Sequence, residues 1–145
     1  MSGEKERPRI LRAIKKCLTD ADQYFKEGME ALDEIGRSSV ATGMTPLIGG
    51  YGMKDGKSEF RTAMIKVDSG EKALEPLVKR FKDGRVNESH FKSEKALVIL
   101  NDLAEADFDI LVNKLMENKG RESVWYRLRE LRGKISEILV LVADE

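Results

Sequence analysis

From Pro8 to Ile35 the apolar positions come three and four residues apart: Leu11, Ile14, Leu18, Ala21, Phe25, Gly28, Leu32 and Ile35. Only an α-helix stacks that spacing on one side, so the stretch predicts a single amphipathic helix with one long stripe to bury. Lys15, Lys16, Asp22, Lys26, Glu30 and Asp33 fall opposite and predict a solvated face. Pro8 suits the first turn, where its missing N–H would have had no partner.

A second stripe follows at Phe60, Met64, Val67, Leu74, Leu77 or Val78, and Phe81. Gly70 and Pro76 interrupt it, which predicts a kink or break between Ser69 and Pro76. A third helix is expected from about Glu88 to Asn118, with Asn87 as N-cap and Phe91, Leu97, Leu100, Leu103, Ala104, Ile110 or Leu111, and Leu115 as its apolar face. Gly120 ends it. Arg121 to Ala143 predicts a fourth helix on the heptad-like series Val124, Leu128, Leu131, Ile135, Ile138 and Val142. No alternating run flanked by hairpin turns reads as a strand. The expected fold class is therefore all-α: an antiparallel helical bundle of about four helices, because each must hide its stripe and short links reverse the chain.

Residues 36–57 carry six glycines and Pro46, and predict a Gly-rich connector. The segment is not hydrophilic, so Val40, Met44, Leu47, Ile48, Tyr51 and Met53 are expected to pack in part on the bundle or a partner. At 145 residues the chain is long enough for one such domain, 1–145, with a single sizeable core.

The chemistry available is sparse. One cysteine, Cys17, allows no intramolecular disulfide, and one histidine, His90, allows no multi-histidine metal centre. Gly49 to Ser58, GGYGMKDGKS, ends like a phosphate-binding loop, but Tyr51 stands where the first glycine would be and no strand precedes it. Asp102, Glu105 and Asp109 share a helical side and read most simply as a charged outer face. His90 reads as a surface or boundary residue, and Cys17 as a small packing residue. The expectation is a protein that is not an enzyme and needs no cofactor. No apolar run approaches the ~20 residues needed to span a bilayer, and a cytoplasmic protein is expected.

Charge is more informative. Lys plus Arg and Asp plus Glu each number 26, so the formal charge is zero. That zero arises by cancellation between blocks: Lys5 to Lys16 is basic, Asp20 to Glu34 acidic, and Lys79 to Arg85 basic again. In an up-down-up-down bundle the start of the first helix and the end of the second meet at one pole. Arg7, Arg9 and Arg12 from the first helix, with Lys79, Arg80, Lys82 and Arg85 from the second, form a candidate patch for an anionic surface, and the opposite pole is expected to be more acidic. Read from charge alone, such a pole suits either a generic helical scaffold or a small nucleic-acid-associated bundle.

Three stretches resemble one family, the seventy-kilodalton-class subunit of the exocyst (exocyst component seven). LRAIKKCLTDADQYF, Leu11 to Phe25, resembles its helix ending in Ala-x-x-Tyr-Phe. KSEFRTAMIKVDS, Lys57 to Ser69, is similar to its Glu-Phe-Arg helix. LMENKGRESVWYRLRELRGKISEIL, Leu115 to Leu139, resembles the passage where a glycine leads through an aromatic pair into a long amphipathic helix. Departures are Asp68 in place of the family's histidine, Trp125-Tyr126 as the aromatic pair, and a glycine-rich Gly43 to Gly56 where the family continues a helix. The resemblance implies a non-enzymatic interaction module of a vesicle tether, acting in docking of secretory vesicles at the plasma membrane. The implied partners are other exocyst-type subunits and a Rho-family GTPase. The family is a long rod of stacked bundles whose lipid-binding basic residues lie in its C-terminal part, so this chain would correspond to an N-terminal piece, a truncated isoform or a short relative. Ile138 to Glu145, ILVLVADE, would offer an apolar end for stacking.

Overall fold

The computed structural model describes residues 2–43 and 56–144. It is an all-α bundle of packed helices. Helix α1 is Ser2–Gly43, α2 Lys57–Lys82, α3 Lys95–Ala104, α4 Phe108–Met116 and α5 Arg121–Leu141, with a 3-10 turn at Glu88–His90 before α3. The connector expected at 36–57 is shorter than its glycines suggest. Residues 36–43 continue α1 to 42 residues, about 63 Å, and 44–55 lie outside the described residues, as does the packing expected of Met44 to Met53.

The α1 stripe is where the periodicity puts it: Leu11, Ile14, Leu18, Ala21, Phe25 and Leu32 are almost wholly buried. Each large member contributes about 1.5–3 kcal/mol by leaving water. The helix starts before Pro8, which therefore stands inside it. This is tolerable because, so near the N-terminus, the proline removes only the bond to the Glu4 carbonyl.

Helix α2 returns antiparallel to α1. Lys66 Nζ pairs with Glu27 at 2.8 Å, Gly70 lies against the Phe25 ring, and Gly56 sits under Ile35. The break expected between Ser69 and Pro76 is absent, and α2 is one helix of 26 residues. Gly70 is there for space. A Cβ on it would stand 2.7 Å from Phe25 Cδ1 and 2.8 Å from Cζ, so only glycine lets the two helices approach this closely over that ring. Pro76 is exposed, and the carbonyl it strands, on Lys72, belongs to an exposed residue that water can reach.

The third helix expected at 88–118 is three pieces, and the buried positions explain why. In α3 they are Ala96, Ile99, Leu100 and Leu103; continuing that helix would bring Asp107 inward. The chain instead breaks at 105–107, leaves Asp107 exposed, and starts α4 one residue out of phase with Phe108, Leu111 and Leu115 buried. Phe108 then stacks on Phe25 across the core, centroids 5.7 Å apart and planes at 14°. Helices α3 and α4 together form the third leg of an up-down-up-down bundle. Helix α4 runs along α2, and α3 along α5, where Lys134 Nζ lies 3.2 Å from Asp102 and Lys95 Nζ 3.7 Å from Glu137.

Helix α5 buries Val124, Leu128, Leu131, Ile135 and Ile138 as the heptad spacing predicts. Its main polar tie to α1 is Arg132, whose Nε and Nη2 donate to the Asp22 carboxylate at 2.8 and 3.4 Å. At its far end the chain turns extended. Lys92 N–H donates to the Leu141 carbonyl (2.6 Å) and Ala143 N–H to the His90 carbonyl (2.9 Å), so one short antiparallel bridge, Phe91 to Val142, clasps the last residues to the turn before α3.

Candidate functional site

The basic pole is assembled as the topology requires, and much of its charge is already used. Arg7 Nη1 donates to the Ser89 carbonyl at 2.7 Å, tying the start of α1 to the 3-10 turn. Arg85 is held against Asp83 by Nε (3.1 and 3.0 Å) and Nη2 (2.8 Å), and Glu6 lies near enough to favour its charged form further. Arg80 faces α1 beside Cys17. Lys79 and Lys82 instead turn toward α3 and α4, where they line a groove with acids. Arg9 and Arg12 are exposed on the first turns of α1 described above. The seven residues thus occupy one end of the molecule but point in several directions. Lys79, Arg80 and Lys82 also have a local reason to be there, since cations in the last turn of a helix meet its unpaired carbonyls favourably.

The opposite pole is mixed rather than acidic. Lys57, Arg61, Lys119 and Arg121 stand there with Asp33 and Glu34, and Arg121 Nε donates to the Leu32 carbonyl at 3.2 Å. Of the motif Gly49 to Ser58 only its last three residues are described: Gly56 caps α2 in the left-handed region at φ 78, and Lys57 and Ser58 open the helix.

His90 is buried, contrary to the surface or boundary position expected for it, at 6% exposure. The sequence hides this because no helical stripe runs through 88–92, and the residues that fasten this turn, Arg7 on the Ser89 carbonyl and Ala143 on the His90 carbonyl, are distant in the chain. Its Nδ1 accepts from the Asn87 N–H at 3.2 Å, while the Asn87 side chain accepts from Ser89 N–H, a cap on the side predicted but for a 3-10 turn. Burial pushes the imidazole below its usual range and the charge of Arg7 adds to this. Cys17 is half-buried against the core, and burial pushes its thiol up despite the nearby Arg80, as suits a packing residue. Asp102, Glu105 and Asp109 fall on α3, the junction and α4, and Asp102 is engaged by Lys134. Among the described residues no group of three or more His, Cys, Asp or Glu is placed to hold a metal ion, and no helix is long and apolar enough to cross a membrane.

The feature that sequence reading missed is a groove of about 560 Å³ between α2 and the α3–α4 break. Its floor is Val78, Leu103, Ala104, Ala106 and Phe108, and its rim carries Glu71 and Glu75 toward one end and Lys79 and Lys82 toward the other. Its volume falls in the range of ordinary ligand clefts, about 300–1,000 Å³. Glu71 is held above the usual carboxylate range by burial first, then by Asp109, Asp68 and Glu75. The signal was present in the chain: Asp107 on what would be a core position, followed at once by Phe108, marks the break that opens the groove. A smaller groove of about 250 Å³ lies between α1 and α5, where Trp125 and Tyr126 meet edge to face at 5.0 Å. There the buried Trp125 Nε1–H has no partner among the described residues.

The site and scaffold define a class, a helical bundle with an apolar, charge-rimmed groove on its side. Compared with known proteins, the chain matches no family model, no curated protein and no solved structure.

Proposed function

We propose that this protein is a non-catalytic interaction module that docks helical protein segments in the α2/α3–α4 groove, and that it serves in an exocyst-type vesicle tether. The single observation carrying the first half is the groove itself. An apolar floor with rim charges of both signs matches the surface of an amphipathic helix. It is poorly suited to a nucleic acid, which would meet Glu71, Glu75 and Asp83 there, while Arg7 and Arg85 at the basic pole are already engaged within the chain. The second half rests on the resemblance in Leu11 to Phe25, Lys57 to Ser69 and Leu115 to Leu139. An up-down-up-down bundle is the unit such a rod would stack, with other tether subunits and a Rho-family GTPase as its partners and a membrane reached through them.

The test is capture from cell extract by the folded chain, read by mass spectrometry, with the wild type beside Ala106→Arg. Ala106 is half-buried in the junction turn, so an arginine there blocks the groove without entering the core. Tether subunits captured by the wild type and lost with Ala106→Arg are the expected result. Capture of none by a chain with full helical circular dichroism would overturn the tether reading. Capture equal in both proteins would remove the groove from it.

A further inference from the structure

On its groove side α2 presents Glu71, Glu75, Val78, Lys79 and Lys82, spaced by threes and fours and therefore on one face. The charge order along that face is two acids and then two bases, spread over about 16 Å, and Asp83 just beyond them is neutralised by Arg85 at 2.8 Å. None of the four makes a salt bridge among the described residues. Neighbouring charges of α2 are satisfied locally, Lys72 by Asp68 at 3.0 Å and Lys66 by Glu27 at 2.8 Å. A two-fold axis perpendicular to α2 between Pro76 and Leu77 sets Glu71 of one copy level with Lys82 of the other, and Glu75 within one residue, about 1.5 Å along the helix, of Lys79. The face is thus its own complement when two copies meet antiparallel, which is the requirement of an isologous interface.

We propose that the first occupant of the groove is a second copy of this chain, docked with the two α2 helices antiparallel. Val78 lies beside the axis, and Glu71 and Glu75 of each copy meet Lys82 and Lys79 of the other. The inference rests on reading the groove as a protein-docking site and names its partner. In this arrangement each α2 lies over the gap between the other copy's α2 and its α3–α4 break. The aliphatic stems of Lys79 and Lys82 cover the small floor residues Ala104 and Ala106, while their ammonium groups reach the acids. Glu71, crowded by Asp109, Asp68 and Glu75 with only Lys72 to offset them, gains the cation it lacks.

The experiment is sedimentation or light scattering of the full chain at roughly 100 μM, with folding checked by circular dichroism. Doubled mass is expected for the wild type, with the dimer weakening as salt rises from about 0.05 to 0.5 M because the cross-pairs are solvent-exposed. Two charge variants separate this pairing from any other dimer. Glu71→Lys with Glu75→Lys makes the face wholly basic, and Lys79→Glu with Lys82→Glu makes it wholly acidic. Each alone should dimerise at least about tenfold more weakly, and an equimolar mixture should restore the doubled mass as a heterodimer. A monomeric wild type, or variants that dimerise like it, overturns the proposal. A monomeric wild type whose capture of tether subunits still depends on Ala106 would overturn the homotypic partner alone. One whose capture is indifferent to Ala106→Arg would overturn both it and the docking reading of the groove.

Discussion

Replacing Gly70 by alanine tests the closest approach in the core. Alanine is the better helix former, and in an open helix interior the change would add about 1 kcal/mol of stability. Here the new methyl would stand 2.7 and 2.8 Å from Cδ1 and Cζ of Phe25, and nearer still to Cε1. Phe25 has no exposed surface to retreat into, and its ring is held from the other side by Phe108 at 5.7 Å. Relief requires either the α1–α2 spacing or the aromatic stack to give. Overpacking of this kind costs about 1–3 kcal/mol, and three contacts on one rigid ring put Gly70→Ala at or beyond the upper end. Net of the helix gain, Gly70→Ala should lose about 2 kcal/mol, or roughly 4–8 °C in Tm for a domain of this size.

The assay is urea unfolding followed by circular dichroism, with the m-value checked for constancy. Phe25→Leu supplies the second arm. Alone it costs about 1–2 kcal/mol by removing volume and stacking, but with Gly70→Ala the methyl occupies space the ring has left. The double variant should therefore be more stable than the sum of the singles by at least about 1 kcal/mol. A Gly70→Ala protein as stable as the wild type or more so, or strict additivity with Phe25→Leu, would refute the claim that glycine is there for the ring.

The opposite sign is expected on α5, where a Cβ at Gly133 meets nothing within 4 Å. Gly133→Ala should raise stability by about 0.5–1 kcal/mol in the same assay, and a loss would show an unrecognised neighbour. At the α1–α5 tie, Asp22→Asn should lose about 1 kcal/mol, because the partly buried Arg132 keeps its charge without its carboxylate. A double-mutant cycle with Arg132→Met should return a coupling of about 0.5–1 kcal/mol, and zero coupling would reduce the pair to a surface contact. His90 has a folded pKa below its ordinary value, so as pH falls through about 6.5 the unfolded chain takes up its proton first and stability drops until the folded pKa is reached. Glu71, raised in the fold, acts with the opposite sign, its penalty being relieved as pH falls toward the carboxylate range. Comparison of the wild type with His90→Asn, which keeps an acceptor near Asn87 N–H, isolates the histidine, and unchanged pH dependence in unfolding titrations would contradict its burial.

The α1 and α5 stripes were legible residue by residue, from Leu11 to Leu32 and from Val124 to Val142, because over those residues one face is buried and burial imposes a 3.6-residue period on the chain. Antiparallel order followed from the same fact together with short links. Where the local pattern admits two outcomes, packing chose. Gly70 and Pro76 read as interruptions, yet α2 passes through both, since the glycine makes room for a ring that lies 45 residues earlier in the chain. The α3–α4 region reads as one helix until Phe108 has to reach Phe25 and Asp107 has to stay in water. His90 lies in a turn fastened by distant residues, its own carbonyl accepting from Ala143 N–H and the Ser89 carbonyl accepting from Arg7. Helix type, apolar face and chain reversal are properties of neighbours in sequence, which periodicity records. The groove, the engagement of the basic pole and the buried histidine depend on which distant residues meet, and that is settled only when all the stripes compete for one core.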